Sequence, residues 1–130
     1  MSTLNVANIQ STGSGFNDVV LFKNSGGTEN GTLCRAWVNF NGTGTVAIRD
    51  DFNVDSITDE GTGAYTVTFS NAMPDANYAP VVTTTSTATS GYPNPYVAAA
   101  YVLTTSVRLI VGKNVSTNDD VSVASVAIFS

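Results

Sequence analysis

AYTVTFS, residues 64 to 70, alternates without a break: Tyr65, Val67 and Phe69 fall on one side, Thr66, Thr68 and Ser70 on the other. Successive side chains of a strand point to opposite faces, so this period of two predicts a half-buried β-strand. The same reading extends in both directions. VRLIVGK (107–113) sets Val107, Leu109 and Val111 against Arg108 and Ile110. LCRAWVNF (33–40) sets Cys34, Ala36, Val38 and Phe40 against Leu33, Arg35, Trp37 and Asn39, which puts the lone tryptophan on the more polar face. VSVASVAIFS (121–130) begins as Val121 and Val123 against Ser122 and Ala124 and then turns apolar on both faces. A strand of that kind is covered twice, inside a sheet or against another chain. Helical spacing is hard to find.

Turn signals punctuate these runs: NSGGTENG (24–31), NGTG (41–44), DEGTG (59–63), MPDAN (73–77), SGYPNP (90–95) and KNVSTNDD (113–120). Asn-Gly between two alternating runs takes the positive φ that a hairpin demands, so Asn41–Gly44 reads as a hairpin turn. A phosphate-cradling loop would need a helix after its glycines, and a strand follows here. Short strands separated by turns at these intervals point to an antiparallel sandwich or a compact barrel. The expected architecture is an all-β, jelly-roll-like antiparallel β-sandwich over 33–130. Residues 1–32 read as an N-terminal arm followed by one or two strands, an oligomerisation or attachment segment, and periodicity leaves open whether the arm packs on its own domain or on a neighbouring chain.

The 130-residue chain is long enough to bury a core without disulfide or metal staples. Only 12% of its residues are charged, while 42% are apolar. The polar remainder is Thr, Ser, Asn and Gly, a surface suited to packing against copies of itself because few charges need desolvating. Net charge is −5, and the five cations are scattered, which argues against nucleic acid as a partner. Cys34 is the single cysteine, flanked by apolar residues, and reads as a small buried hydrophobe. MSTLNVANIQ lacks the basic and apolar regions of a secretory signal, and YVAAAYVL (96–103) is too short to span a bilayer. A soluble protein made in a cytoplasm, with no membrane insertion, is expected.

Histidine is absent, which removes Ser-His and Cys-His nucleophilic systems and most zinc sites. A carboxylate pair could still cleave glycosides, but that requires a concave site that a small turn-rich β domain is hard put to build. No enzyme activity and no cofactor are expected. Asp51, Asn53, Asp55, Ile57 and Asp59 match the odd positions of a calcium loop, but Ser56 stands where the sharp turn needs glycine and Thr62 where a bidentate glutamate belongs. The same spacing fits the solvated face of one strand with Phe52 and Val54 inward. Among binding candidates, SGYPNPYVAAAY (90–101) is the most suggestive. Pro93 and Pro95 stiffen a loop in which Tyr92 and Tyr96 offer ring faces and Asn94 offers hydrogen bonds. Trp37 belongs to a core or an interface, with a sugar-stacking platform as the alternative.

Three runs carry a resemblance: AWVNFNGTGTVAIR, the FNVDSITDEGTGAYTVTF hairpin and AMPDANY, all within Cys34 to Val81. They resemble a domain of tail-fibre and other virion structural proteins of bacteriophages, those of cyanobacteria and other aquatic bacteria above all. STLNVANIQSTGSG is similar to the strand-forming openings of such proteins, while Val82 to Ser130 matches only in all-β texture. The resemblance implies a homotrimeric appendage protein on the tail or capsid exterior of a virion, without catalytic residues. Its implied partners are further copies of itself, other virion proteins through the N-terminal arm, and a bacterial surface glycan, for which the loop residues Tyr92, Asn94 and Tyr96 read above are the binding candidates. A capsid or tail decoration protein without a host ligand is the competing expectation.

Overall fold

The alternating runs become antiparallel strands, and their apolar faces meet. The computed structural model describes residues 20–24, 27–31, 34–85, 96–114 and 117–130, with side chains over 34–85, 101–112 and 118–130. Two units divide at Gly31/Thr32. In the first, β1 (Val20–Asn24) and β2 (Gly27–Gly31) pair antiparallel from Val20↔Gly31 to Asn24↔Gly27.

The second unit is a sandwich of two antiparallel sheets. Eight of its strands are β3 (Cys34–Asn41), β4 (Ala47–Phe52), β5 (Val54–Gly61), β6 (Ala64–Phe69), β7 (Ala79–Thr85), β8 (Tyr96–Val102), β9 (Ser106–Asn114) and β11 (Val123–Phe129), with the two-residue β10 (Thr117–Asn118) between the last two. One sheet runs β4-β3-β11-β7. The other runs β5-β6-β9-β8, and β10 pairs with β9 beyond the point where β6 leaves off. The β3–β4, β5–β6 and β8–β9 pairs join neighbours within a single sheet. This strand order is that of a sandwich and carries the jelly-roll expectation no further.

Between the sheets lies one apolar layer. Ala36, Val38 and Phe40 of β3 and Ala124, Val126 and Ile128 of β11 face Tyr65, Val67 and Phe69 of β6 and Val107, Leu109 and Val111 of β9. Burying each large side chain contributes about 1.5–3 kcal/mol. Two aromatic pairs lock the layer edge to face, Phe40 with Tyr65 at 5.2 Å and Phe69 with Tyr78 at 5.8 Å between centroids. The faces expected for β3, β6 and β9 are those observed. In β11 the inward residues are the even-numbered ones, so Val123 turns outward and Ala124 inward, with Val121 buried just ahead of the strand. Cys34, expected to be buried, is half-buried, its Sγ 3.2 Å from the carbonyl of Ala36.

Both expected hairpins form. The β3–β4 loop passes through Gly44 at φ 63, and the Asn41 carboxamide closes it by donating to the Thr43 carbonyl at 2.7 Å and accepting from the Thr43 hydroxyl at 2.8 Å. The β5–β6 turn ends at Gly63, φ 65, where a Cβ would collide with the Val111 carbonyl.

The carboxylate run departs from expectation. Asp51 to Asp59 is not one strand, because Asn53 takes a left-handed φ of 57 and the chain crosses there from β4 in one sheet to β5 in the other. Phe52 therefore points to solvent while Val54 enters the core. The Asn53 side chain holds the corner. Its Nδ2 donates to the carbonyls of Arg35 (3.1 Å) and Asn71 (3.2 Å), and its Oδ1 accepts from the Asn71 backbone N–H (2.8 Å).

Candidate functional site

Register on the outer face of β4-β3-β11-β7 gathers residues that lie far apart in the chain. Phe52, Trp37, Ala127 and Val81 stand opposite one another across all four strands, in that order. The adjoining row is Asp50, Asn39, Ser125 and Thr83. A sheet with one solvated face should carry polar residues there. Here Trp37 is 36% exposed, Phe52 54% and Val81 50%, and Phe129 follows along β11.

The first row also has relief. Trp37 and Val81 lie two strands apart, about 10 Å at ordinary strand spacing, with the small side chain of Ala127 between them. The result is an open, mostly apolar depression of about 360 Å³, lined by Trp37, Val38, Asn39, Val81, Thr83, Ser125, Val126 and Ala127.

Hydrogen bonds fix the polar row. Asn39 Nδ2 donates to Ser125 Oγ at 2.8 Å, so the hydrogen of the Ser125 hydroxyl is not consumed in that bond. Arg49 sets the amide from the other side. Its Nη1 donates to Asn39 Oδ1 at 3.4 Å and to the Phe40 carbonyl at 3.0 Å, while Nη2 reaches the Ser122 carbonyl at 2.6 Å. The guanidinium thus ties the irregularity between Asn39 and Phe40 to the segment entering β11. An indole beside a row of amide and hydroxyl groups can stack on the apolar face of a flat ligand and hydrogen-bond its edge. That chemistry suits a neutral, polyhydroxylated molecule.

Of the residues expected to bind, Tyr92 and Asn94 lie outside the described residues. Tyr96 opens β8 opposite Gly112, and only its backbone is described. Among the described residues no three of the acids and Cys34 come together as a metal site. Asp120, at the end of the KNVSTNDD turn, accepts the Gly63 N–H at 2.7 Å, and its Oδ1 stands 3.0 Å from the Tyr65 hydroxyl. That hydroxyl also reaches the Gly42 carbonyl at 2.8 Å. Burial, followed by the Asp120 carboxylate, holds the Tyr65 phenol strongly towards its neutral form. Burial likewise pushes Tyr78 up to about 12, with its hydroxyl 2.9 Å from the Leu103 carbonyl.

Phe52, Asn39, Val81 and Ser125 were not among the expected site residues. The single signal for this face in the sequence is Trp37 on the polar side of an alternating strand. Its neighbours become visible only once the strand register is known. No known protein family, curated protein or solved structure matches the chain.

Proposed function

We propose that the chain is a non-catalytic adhesion domain that holds a neutral surface glycan in the depression beside Trp37, as part of a homotrimeric tail-fibre or tip protein of a bacteriophage virion. The observation that carries the binding part is the exposed indole beside an ordered Asn39–Ser125 pair. The virion part rests on the resemblance of Cys34–Val81. Stacking with two or three hydrogen bonds supplies only about 4–5 kcal/mol, near millimolar affinity for one site. Three sites on one particle raise that by avidity, so the trimer and the weak site belong to one reading.

Trp37 is the only tryptophan, so its emission reports the depression directly. Titrating the protein with host surface polysaccharide is expected to shift that emission saturably. Trp37→Ala is expected to abolish retention on host cells with an unchanged melting temperature. A flat titration together with full retention of Trp37→Ala would remove the site and turn the reading to a decoration protein without host ligand.

A further inference from the structure

Among the described residues both sheets end in open edges, and the two flanks of the sandwich treat them differently. On one flank β4 carries Arg49, Asp50 and Asp51, and β5 carries Asp55, Asp59 and Glu60. Charges on an edge strand deter another strand from pairing there, because they would have to be desolvated. On the other flank lie β7 (APVVTTT) and β8 (YVAAAYV), and the chain has no charged residue between Asp75 and Arg108. Among the described residues β7 pairs with β11 alone and β8 with β9 alone, so each leaves one side of its backbone unpaired. Both are seven residues long. Val81, exposed on one sheet, and Tyr101, 63% exposed on the other, border this flank.

We propose that the flank formed by β7 and β8 is where copies of this chain meet, the β7 edge of one copy against the β8 edge of the next. This rests on the homotrimer reading and names its surface. The occupant follows from charge. At a net −5, copies repel wherever their acidic edges approach, and the β7–β8 flank, whose strands carry no carboxylate and where the Arg108 guanidinium stands 5.8 Å from the centre of the Tyr101 ring, is where copies meet without desolvating acids. Joining two different edges is a heterologous contact, which closes into a ring when the rotation permits. Since β7 and β8 border the same flank, such a ring is tight and places that flank around its axis. Pairing also satisfies the open backbone groups of both strands.

The test is the mass of the full chain by sedimentation, for the wild type and two double variants. Ala79→Glu with Thr85→Glu puts carboxylates on the β7–β8 flank without touching the Trp37 depression. Ala47→Glu with Thr58→Glu adds the same charge to the β4–β5 flank. The expected result is an oligomeric wild type, a β7–β8 variant that is monomeric with an unchanged melting temperature, and a β4–β5 variant that keeps the wild-type mass. An oligomer that persists in the β7–β8 variant, or that dissociates equally in both, overturns this surface while leaving the trimer in place. A wild type that is monomeric at every concentration overturns both. Glycan binding followed by Trp37 emission remains a separate readout in all three proteins.

Discussion

At the scale of single residues, two buried phenols set how the sandwich responds to alkali. Tyr65 and Tyr78 are held neutral by burial, whereas an unfolded tyrosine ionises near pH 10. The native state thus binds these protons more tightly than the unfolded chain. The stability they confer is complete below pH 10 and is lost as pH rises from there, at up to about 1.4 kcal/mol per unit for each group. For Tyr78 the loss runs to about pH 12. The urea midpoint of the wild type is expected to fall between pH 9 and pH 11, and that of Tyr78→Phe to fall less. Equal declines would mean that other groups carry the alkaline transition. The inward direction of Tyr65 was legible from AYTVTFS alone. That its hydroxyl meets Asp120 and Gly42 was not, because a contact between distant loops leaves no period in a sequence.

At the scale of elements, the strands were legible and the change of sheet was not. Alternation marks β3, β6 and β9 because each has one face in the core and one in solvent. Asn53 looks like one more polar residue in an alternating run, yet its left-handed backbone ends one strand and starts another in the opposite sheet. An Asn tolerates that conformation, while alanine there costs roughly 1–2 kcal/mol for the backbone and about 1 kcal/mol for each hydrogen bond lost. With three side-chain bonds lost, Asn53→Ala is therefore expected to destabilise the sandwich by about 4–5 kcal/mol, and Asn53→Gly, which keeps the backbone at ease, by about 3 kcal/mol. Chemical denaturation of both variants checks this. Equal losses would assign the whole effect to the side-chain bonds with Arg35 and Asn71.

At the scale of the whole molecule, a sandwich was readable from the spacing of strands and turns, but the rows on its outer face were not. Trp37, Ala127 and Val81 become neighbours through the register of three strands, and register depends on pairings between segments remote in the chain. All the buried core residues of the described structure lie between Ala36 and Ile128. Residues 32–130 alone are accordingly expected to melt at the temperature of the full chain. A fall of more than about 5 °C, roughly 1 kcal/mol for a domain of this size, would show that the first unit contributes to the sandwich. One pairing matters for a different reason when the protein is made. β11 lies between β3 and β7, and it is synthesised after every other strand of its sheet. Until Val123–Phe129 leave the ribosome, β3 and β7 each hold an open edge beside exposed apolar side chains. The sheet can therefore close only once its central strand has been made. A message cut short before Val123 yields a product bound for aggregation or proteolysis, not a weakened version of this protein.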